Sequence, residues 1–195
     1  MPTNAAPASA PAFPPASEMD ILFTQAQIAE RVREIGEQIS ADYAGQDSGQ
    51  PIVLIGVLKG AAIFLADLAR AITISNTFDF VAVSSYGRAR VSSGAVKLIK
   101  DIDNPLEGKH VIIVEDILDT GITLGYLRKI FLQQHPKSLK IATCLDKPAR
   151  RVEPIEADYV GFSIPNQFVV GYGMDYAEKF RNLPDICILP PDFTA

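Results

Sequence analysis

The sequence predicts an α/β domain built on a mainly parallel, twisted sheet flanked by helices. Three observations carry this. Apolar runs of strand length alternate with segments of helical periodicity, the pattern of βαβ units with right-handed crossovers. Val111-Ile112-Ile113-Val114 puts four branched aliphatics in a row, as suits a strand buried on both faces. That run ends in Glu115 and Asp116, then Asp119, and Thr120-Gly121-Ile122-Thr123 opens the next helix.

In chain order, Thr24 is the expected N-cap of the first helix, with Gln27 completing a capping box. Ile28, Val32, Ile35 and Ile39 then repeat at helical spacing to about residue 43. A loop over Gly45 to Gln50 precedes a buried strand, Pro51 to Val57. Leu58-Lys59-Gly60 leads into a helix ending near Ala71. Phe78 to Tyr86 reads as a strand, Gly87 to Ala95 as a mobile Gly/Ser/Arg loop, and Val96 to Asp101 as a returning strand. After a turn at Pro105 to Lys109 come a strand at 110–115 and a helix over about 122–134. Ser138 to Leu145, Tyr159 to Phe162, Phe168 to Gly171 and Ile186 to Leu189 complete the strands. In such sheets ligands bind beyond the carboxyl ends of the strands.

One domain is the prior for 195 residues, expected over 18–195. Residues 1–17 are almost wholly Ala, Pro and Ser and read as a disordered tail; a signal peptide would need a basic start and an apolar core. Hydrophobic content of 48% with 21% charged residues fits a soluble globular enzyme. A net charge of −5 without a run of like charges argues against a general nucleic-acid surface, and no apolar stretch is long enough to predict a membrane span. Cys144 and Cys187 lie in apolar stretches and read as small buried side chains, so the reducing cytoplasm is the expected compartment.

Small and hydroxylic residues at a helix start can wrap a phosphate with free backbone N–H groups. Bare carboxylates beside it would repel that phosphate unless the ligand also offers them hydroxyls or Mg2+. Phosphate, diol and metal together describe a phosphorylated ribose. A plainer reading of the same residues is ordinary strand–helix construction, with Asp119 or Thr120 as N-cap. Asp-Thr-Gly also occurs in aspartic proteases, but in an all-β setting. The aspartate-nucleophile phosphatases space their two acids differently.

Taken whole, residues 111–123 closely resemble the phosphoribosyl-pyrophosphate-binding motif of type I phosphoribosyltransferases, in the hypoxanthine-guanine branch. A second match is Ile164 to Tyr176, and the likeness runs from roughly Met19 to Leu189, with Leu145-Asp146-Lys147-Pro148 in a bacterial form. The resemblance implies the type I phosphoribosyltransferase fold, with a small hood made by the N- and C-terminal segments. It implies conversion of hypoxanthine or guanine and phosphoribosyl pyrophosphate to IMP or GMP and pyrophosphate, with Mg2+, in purine salvage.

By the same resemblance, Thr120, Gly121 and Thr123 hold the 5-phosphate, and Glu115 and Asp116 the ribose hydroxyls and Mg2+. Lys59 and Gly60 line the pyrophosphate loop, where the family carries a cis peptide that would be Leu58–Lys59. Arg181 pairs with pyrophosphate, as its planar fork allows. Ser84-Ser85-Tyr86-Gly87 would form the lid, in which Arg88 and Arg90 depart from mammalian relatives. Lys147 would donate to the purine 6-oxo group, and Phe168, by type alone a core aromatic, would stack on the base. Val169 would read the base edge, Met174 line the pocket, and Asp175 approach the 2-position and a second Mg2+. Asp119 is the expected acid–base residue. Relatives assemble as dimers or tetramers, so a homodimer or homotetramer is expected, with no nucleic-acid partner. The alternatives are a xanthine-preferring enzyme and a nucleic-acid-binding regulator that senses the sugar pyrophosphate.

Overall fold

The computed structural model describes residues 19–45, 50–85 and 96–190. The expected tail over 1–17 and the lid segment from Tyr86, with Arg88 and Arg90, lie outside them.

The described elements are β1 (Asp20–Phe23), α1 (Gln25–Tyr43), β2 (Ile52–Leu58), α2 (Ala62–Ala71), β3 (Asn76–Ser85), β4 (Val96–Lys100), β5 (His110–Leu118), α3 (Ile122–Leu132), β6 (Ser138–Asp146), β7 (Tyr159–Ser163), β8 (Val169–Val170) and β9 (Ile186–Ile188). The main sheet runs β4-β3-β2-β5-β6-β7. All of its pairings are parallel except that of edge strand β4 with β3. The predicted α/β class and its mainly parallel sheet are therefore present.

Helix α1 starts as its sequence dictates. The Thr24 side chain accepts from the Gln27 amide, and the Gln27 side chain accepts from the Thr24 amide, a capping box. Its apolar stripe, Ile28, Val32, Ile35 and Ile39, is buried with Phe64, Leu65 and Leu68 of α2 against Leu54, Ile112 and Val114 of the sheet. Burying side chains of this size contributes roughly 1.5–3 kcal/mol each. Leu124, Leu127 and Phe131 of α3 pack on the opposite face, against Ile55, Val81, Val111 and Ile113. Helices thus cover both faces, and the continuous apolar run of β5 is what that requires.

The amino ends of β5 and β6 carry a polar cluster. His110 Nδ1 lies 2.6 Å from Ser138 Oγ, and the His110 ring meets Tyr43 edge-on at 5.0 Å. Tyr159 and Lys140 both donate to the Asp42 carboxylate, at 2.7 and 2.8 Å. Burial and the nearby Lys137 cation hold the His110 imidazole below the usual histidine range.

A second, three-stranded antiparallel sheet, β1-β9-β8, forms the hood. Strand β1 was not legible in the sequence: four residues with a single alternation are too few to stand out from the helix start beside them. Strand β8 is shorter than the expected Phe168 to Gly171, because Gly171 and Met174 close a tight turn on each other. Cys144 and Cys187 are buried free thiols, as their apolar surroundings predict. No described helix is long and apolar enough to cross a membrane.

Candidate active site

The carboxyl ends of β2, β5 and β6 converge, and the predicted site residues gather there. Strand β5 runs further than expected, to Leu118, so Glu115 and Asp116 stand within the strand. Glu115 is 7% exposed. Burial, then the adjacent Asp116 charge, push its carboxyl well above the usual glutamate range. Asp116 Oδ1 accepts from the Ile117 amide at 2.9 Å. Among the described residues neither acid forms an ion pair, and no three His, Cys, Asp or Glu side chains converge. The pair therefore suits a divalent cation that draws its remaining oxygens from a ligand, as Mg2+ commonly does.

Glu115, Asp116, Asp119, Thr120, Gly121 and Thr123 line one cleft of about 260 Å3. Gly121 is the N-cap of α3, with φ 83°. The alternative that Asp119 or Thr120 caps this helix is thereby set aside. A side chain at 121 would be strained at that φ and would meet Ile155. Gly121 offers the amides that open α3 no side-chain cap, and the first of them, Ile122, makes a long contact of 3.5 Å to Thr120 Oγ1.

The Leu58–Lys59 peptide bond is cis. Beyond it, the Gly60 Cα abuts the Asp116 carboxylate so closely that a Cβ there would overlap Asp116 Oδ2. Lys59 extends into solvent and pairs with Glu178 at 2.9 Å.

Lys147 is buried, yet among the described residues its ammonium has no hydrogen-bond or ion-pair partner. Burial depresses its pKa, an effect opposed by the Asp119 and Asp116 charges. Such an ammonium is poised to donate to a neutral oxygen. Phe168 is 44% exposed and meets Tyr176 edge-on at 5.5 Å, so it stands outside the core. Val169 is buried in β8, and Met174 is sealed into the main core. Asp175 already engages both oxygens, accepting from the Glu178 amide and pairing with Arg181, each at 2.7 Å. Arg181 also donates to the Gly173 carbonyl at 2.7 Å. Of the expected lid, Ser84 and the backbone of Ser85, at the end of β3, are described; Tyr86 and Gly87 are not.

Sequence reasoning passed over Arg150, Arg151 and Glu178. Arg151 donates to the Asp119 carbonyl at 2.7 Å and pairs with Asp146, tying the phosphate loop to the end of β6. Arg150 Nε lies 3.0 Å from Asp119 Oδ1.

The model of the phosphoribosyl transferase domain matches residues 18–177. A bifunctional TilS/HprT protein of Listeria innocua is 51% identical over 172 residues, 88% of this chain but 26% of the relative. This chain thus spans about a quarter of that protein's length. The hypoxanthine-guanine phosphoribosyltransferase of Streptococcus thermophilus is 50% identical over 169 residues, covering 87% of this chain and 92% of the relative. Among solved structures, the hypoxanthine phosphoribosyltransferase of Trypanosoma cruzi in complex with IMP superposes with a TM-score of 0.85 at 44% identity, covering 92% and 99% of the two chains. The hypoxanthine-guanine enzyme of Bacillus anthracis gives 0.82 at 49% identity, covering 89% and 100%. With its strand-borne pair of acids, the glycine-capped cleft beside them and a family match over most of its length, this chain belongs to the phosphoribosyl transferase family.

Proposed function

We propose that this protein is a purine-salvage transferase that moves the phosphoribosyl group of phosphoribosyl pyrophosphate onto hypoxanthine or guanine, forming IMP or GMP and pyrophosphate. The observation that carries this is the placing, at one sheet edge, of a carboxylate-lined cleft near the ammonium of buried Lys147, which has no partner among the described residues. The close likeness to hypoxanthine-guanine enzymes over nearly their whole length supports it. The reading extends to no other part of the bifunctional relatives.

In this reading Thr120, Gly121, Thr123 and the amides opening α3 bind the 5-phosphate. Glu115 and Asp116 accept from the ribose hydroxyls. Lys147 donates to the 6-oxo group, which disfavours adenine, whose 6-amino group does not accept such a bond. Phe168 stacks on the base while Val169 and Met174 shape its pocket. Asp119 takes the proton near N7 as N9 attacks the ribose C1, and its backbone is already held by Arg151. Lys59, Gly60 and Arg181 receive the departing pyrophosphate. Ser85 and Tyr86 belong to the lid that keeps water from the reacting ribose. Glu115 and Asp116 would hold Mg2+, with Asp175 near a second ion, and bound Mg2+ neutralises charge that builds on the leaving group.

Assembly as a homodimer or homotetramer and a cytoplasmic location belong to the same proposal. Light scattering of the purified chain tests the first. Initial rates with hypoxanthine, guanine, xanthine and adenine in parallel test the activity. Nucleotide formation from hypoxanthine or guanine, lost on chelation and restored by Mg2+, is the expected result. Preference for xanthine would shift the substrate, and absence of turnover with every base would overturn the enzyme reading.

A further inference from the structure

The loop from Gly171 to Asn182 sets an acid among the cations of the site. Glu178 Oε2 lies 2.9 Å from Lys59 Nζ and 3.6 Å from Arg181 Nη2. One carboxylate therefore bridges a cation from the β2–α2 loop and a cation from the hood. The local chain is bent to allow it. Ala177 and Glu178 are consecutive non-glycine residues in the left-handed region, with φ 50° and 64°. That conformation is unfavourable for each of them and persists where surrounding contacts enforce it. Those contacts are the amide of Glu178 on Asp175 Oδ2 and the paired backbone hydrogen bonds of Tyr176 with Lys179.

We infer that Glu178 is a built-in stand-in for the leaving group. Its carboxylate occupies the anion position between Lys59 and Arg181 in the free protein, and pyrophosphate must displace it to bind. This rests on the reading that Lys59 and Arg181 serve the pyrophosphate. The chemistry is direct: two cations brought together repel, and an intramolecular carboxylate keeps them assembled between turnovers. The same carboxylate then competes with the product and hastens its departure. Lys59 and Glu178 are largely exposed, at 66% and 65%, and Arg181, at 26%, is the more enclosed partner at the longer distance, so the competition is mild and reversible.

The test is calorimetric titration of the full chain with Mg2+-pyrophosphate and, separately, with IMP, comparing wild type, Glu178→Gln, Glu178→Asp and Lys59→Ala. Glu178→Gln is expected to bind pyrophosphate roughly two- to tenfold more tightly, the scale of one or two exposed ion pairs. Its affinity for IMP, which lacks pyrophosphate, stays within twofold. Glu178→Asp, keeping the charge, falls back toward wild type. Unchanged or weaker pyrophosphate binding in Glu178→Gln, while Lys59→Ala weakens it, overturns the competing role and leaves the site reading intact. Parallel loss of affinity for both ligands in Glu178→Gln marks a merely structural residue and also overturns it. Unaltered pyrophosphate affinity in Lys59→Ala would remove the underlying assignment instead.

Discussion

The Asp116 carboxylate closes over the Cα of Gly60, so the loop leaving β2 and the carboxyl end of β5 meet where a side chain on residue 60 would stand. Only a residue without Cβ leaves that acid in place. Gly60→Ala is expected to swing Asp116 out of the cleft and lower kcat/KM for phosphoribosyl pyrophosphate by about tenfold or more, a cost of ~1.4 kcal/mol. Steady-state kinetics decide it, and a change below twofold would show that Asp116 needs no fixed position.

Asp119 lines the same cleft, with its carbonyl held by Arg151 and its carboxylate beside Arg150 Nε. Asp119→Asn is expected to cut turnover by about 10²–10⁴ while phosphoribosyl pyrophosphate affinity changes little. Single-turnover rates set beside titration calorimetry separate the two. Near-normal turnover would take Asp119 out of the chemistry.

The proposed function gives the base a polar and an apolar handle. Phe168→Ala is expected to weaken purine binding by about 1–3 kcal/mol, the usual worth of one stacked base. Lys147→Met keeps the length and removes the ammonium, and should narrow the preference for 6-oxopurines over adenine. The ratio of kcat/KM for hypoxanthine to that for adenine reads this, and an unchanged ratio would show that Lys147 does not set specificity.

Stability against pH should report His110, far from the site. Its folded pKa is lowered, so in acid the unfolded chain binds the proton more readily. The stability tied to the neutral ring is present in full above the unfolded value of about 6.5, and is lost as pH falls through the folded value. His110→Gln is expected to flatten the fall in urea midpoint between about pH 7 and pH 5. An equally steep fall in the variant would place the acid sensitivity elsewhere.

Most of this architecture was legible because its signals are local. The Thr24–Gln27 capping box, the stripe of α1 and the buried run of β5 each declare themselves within a few residues, and the structure has all three. Glu115, Asp116, Asp119 and the Thr120–Thr123 turn are contiguous, so the cleft they line could be read as one motif. What escaped depends on partners distant in sequence. Strand β1 exists because β9 pairs with it. Arg151 matters because Asp119 and Asp146 are brought to it, and Glu178 because Lys59 is. No pattern near those residues announces such company.

The hood is stitched from β1, near the beginning of the chain, and β9, near its end, with Ile21 opposite Cys187. Its register therefore waits on β9, which follows every strand of the main sheet in the chain. A chain still leaving the ribosome carries the strand that bears the acidic cleft well before β9 can pair with the strand bearing Val169. The half of the site that the proposed function gives to the sugar phosphate is thus made before the half it gives to the base.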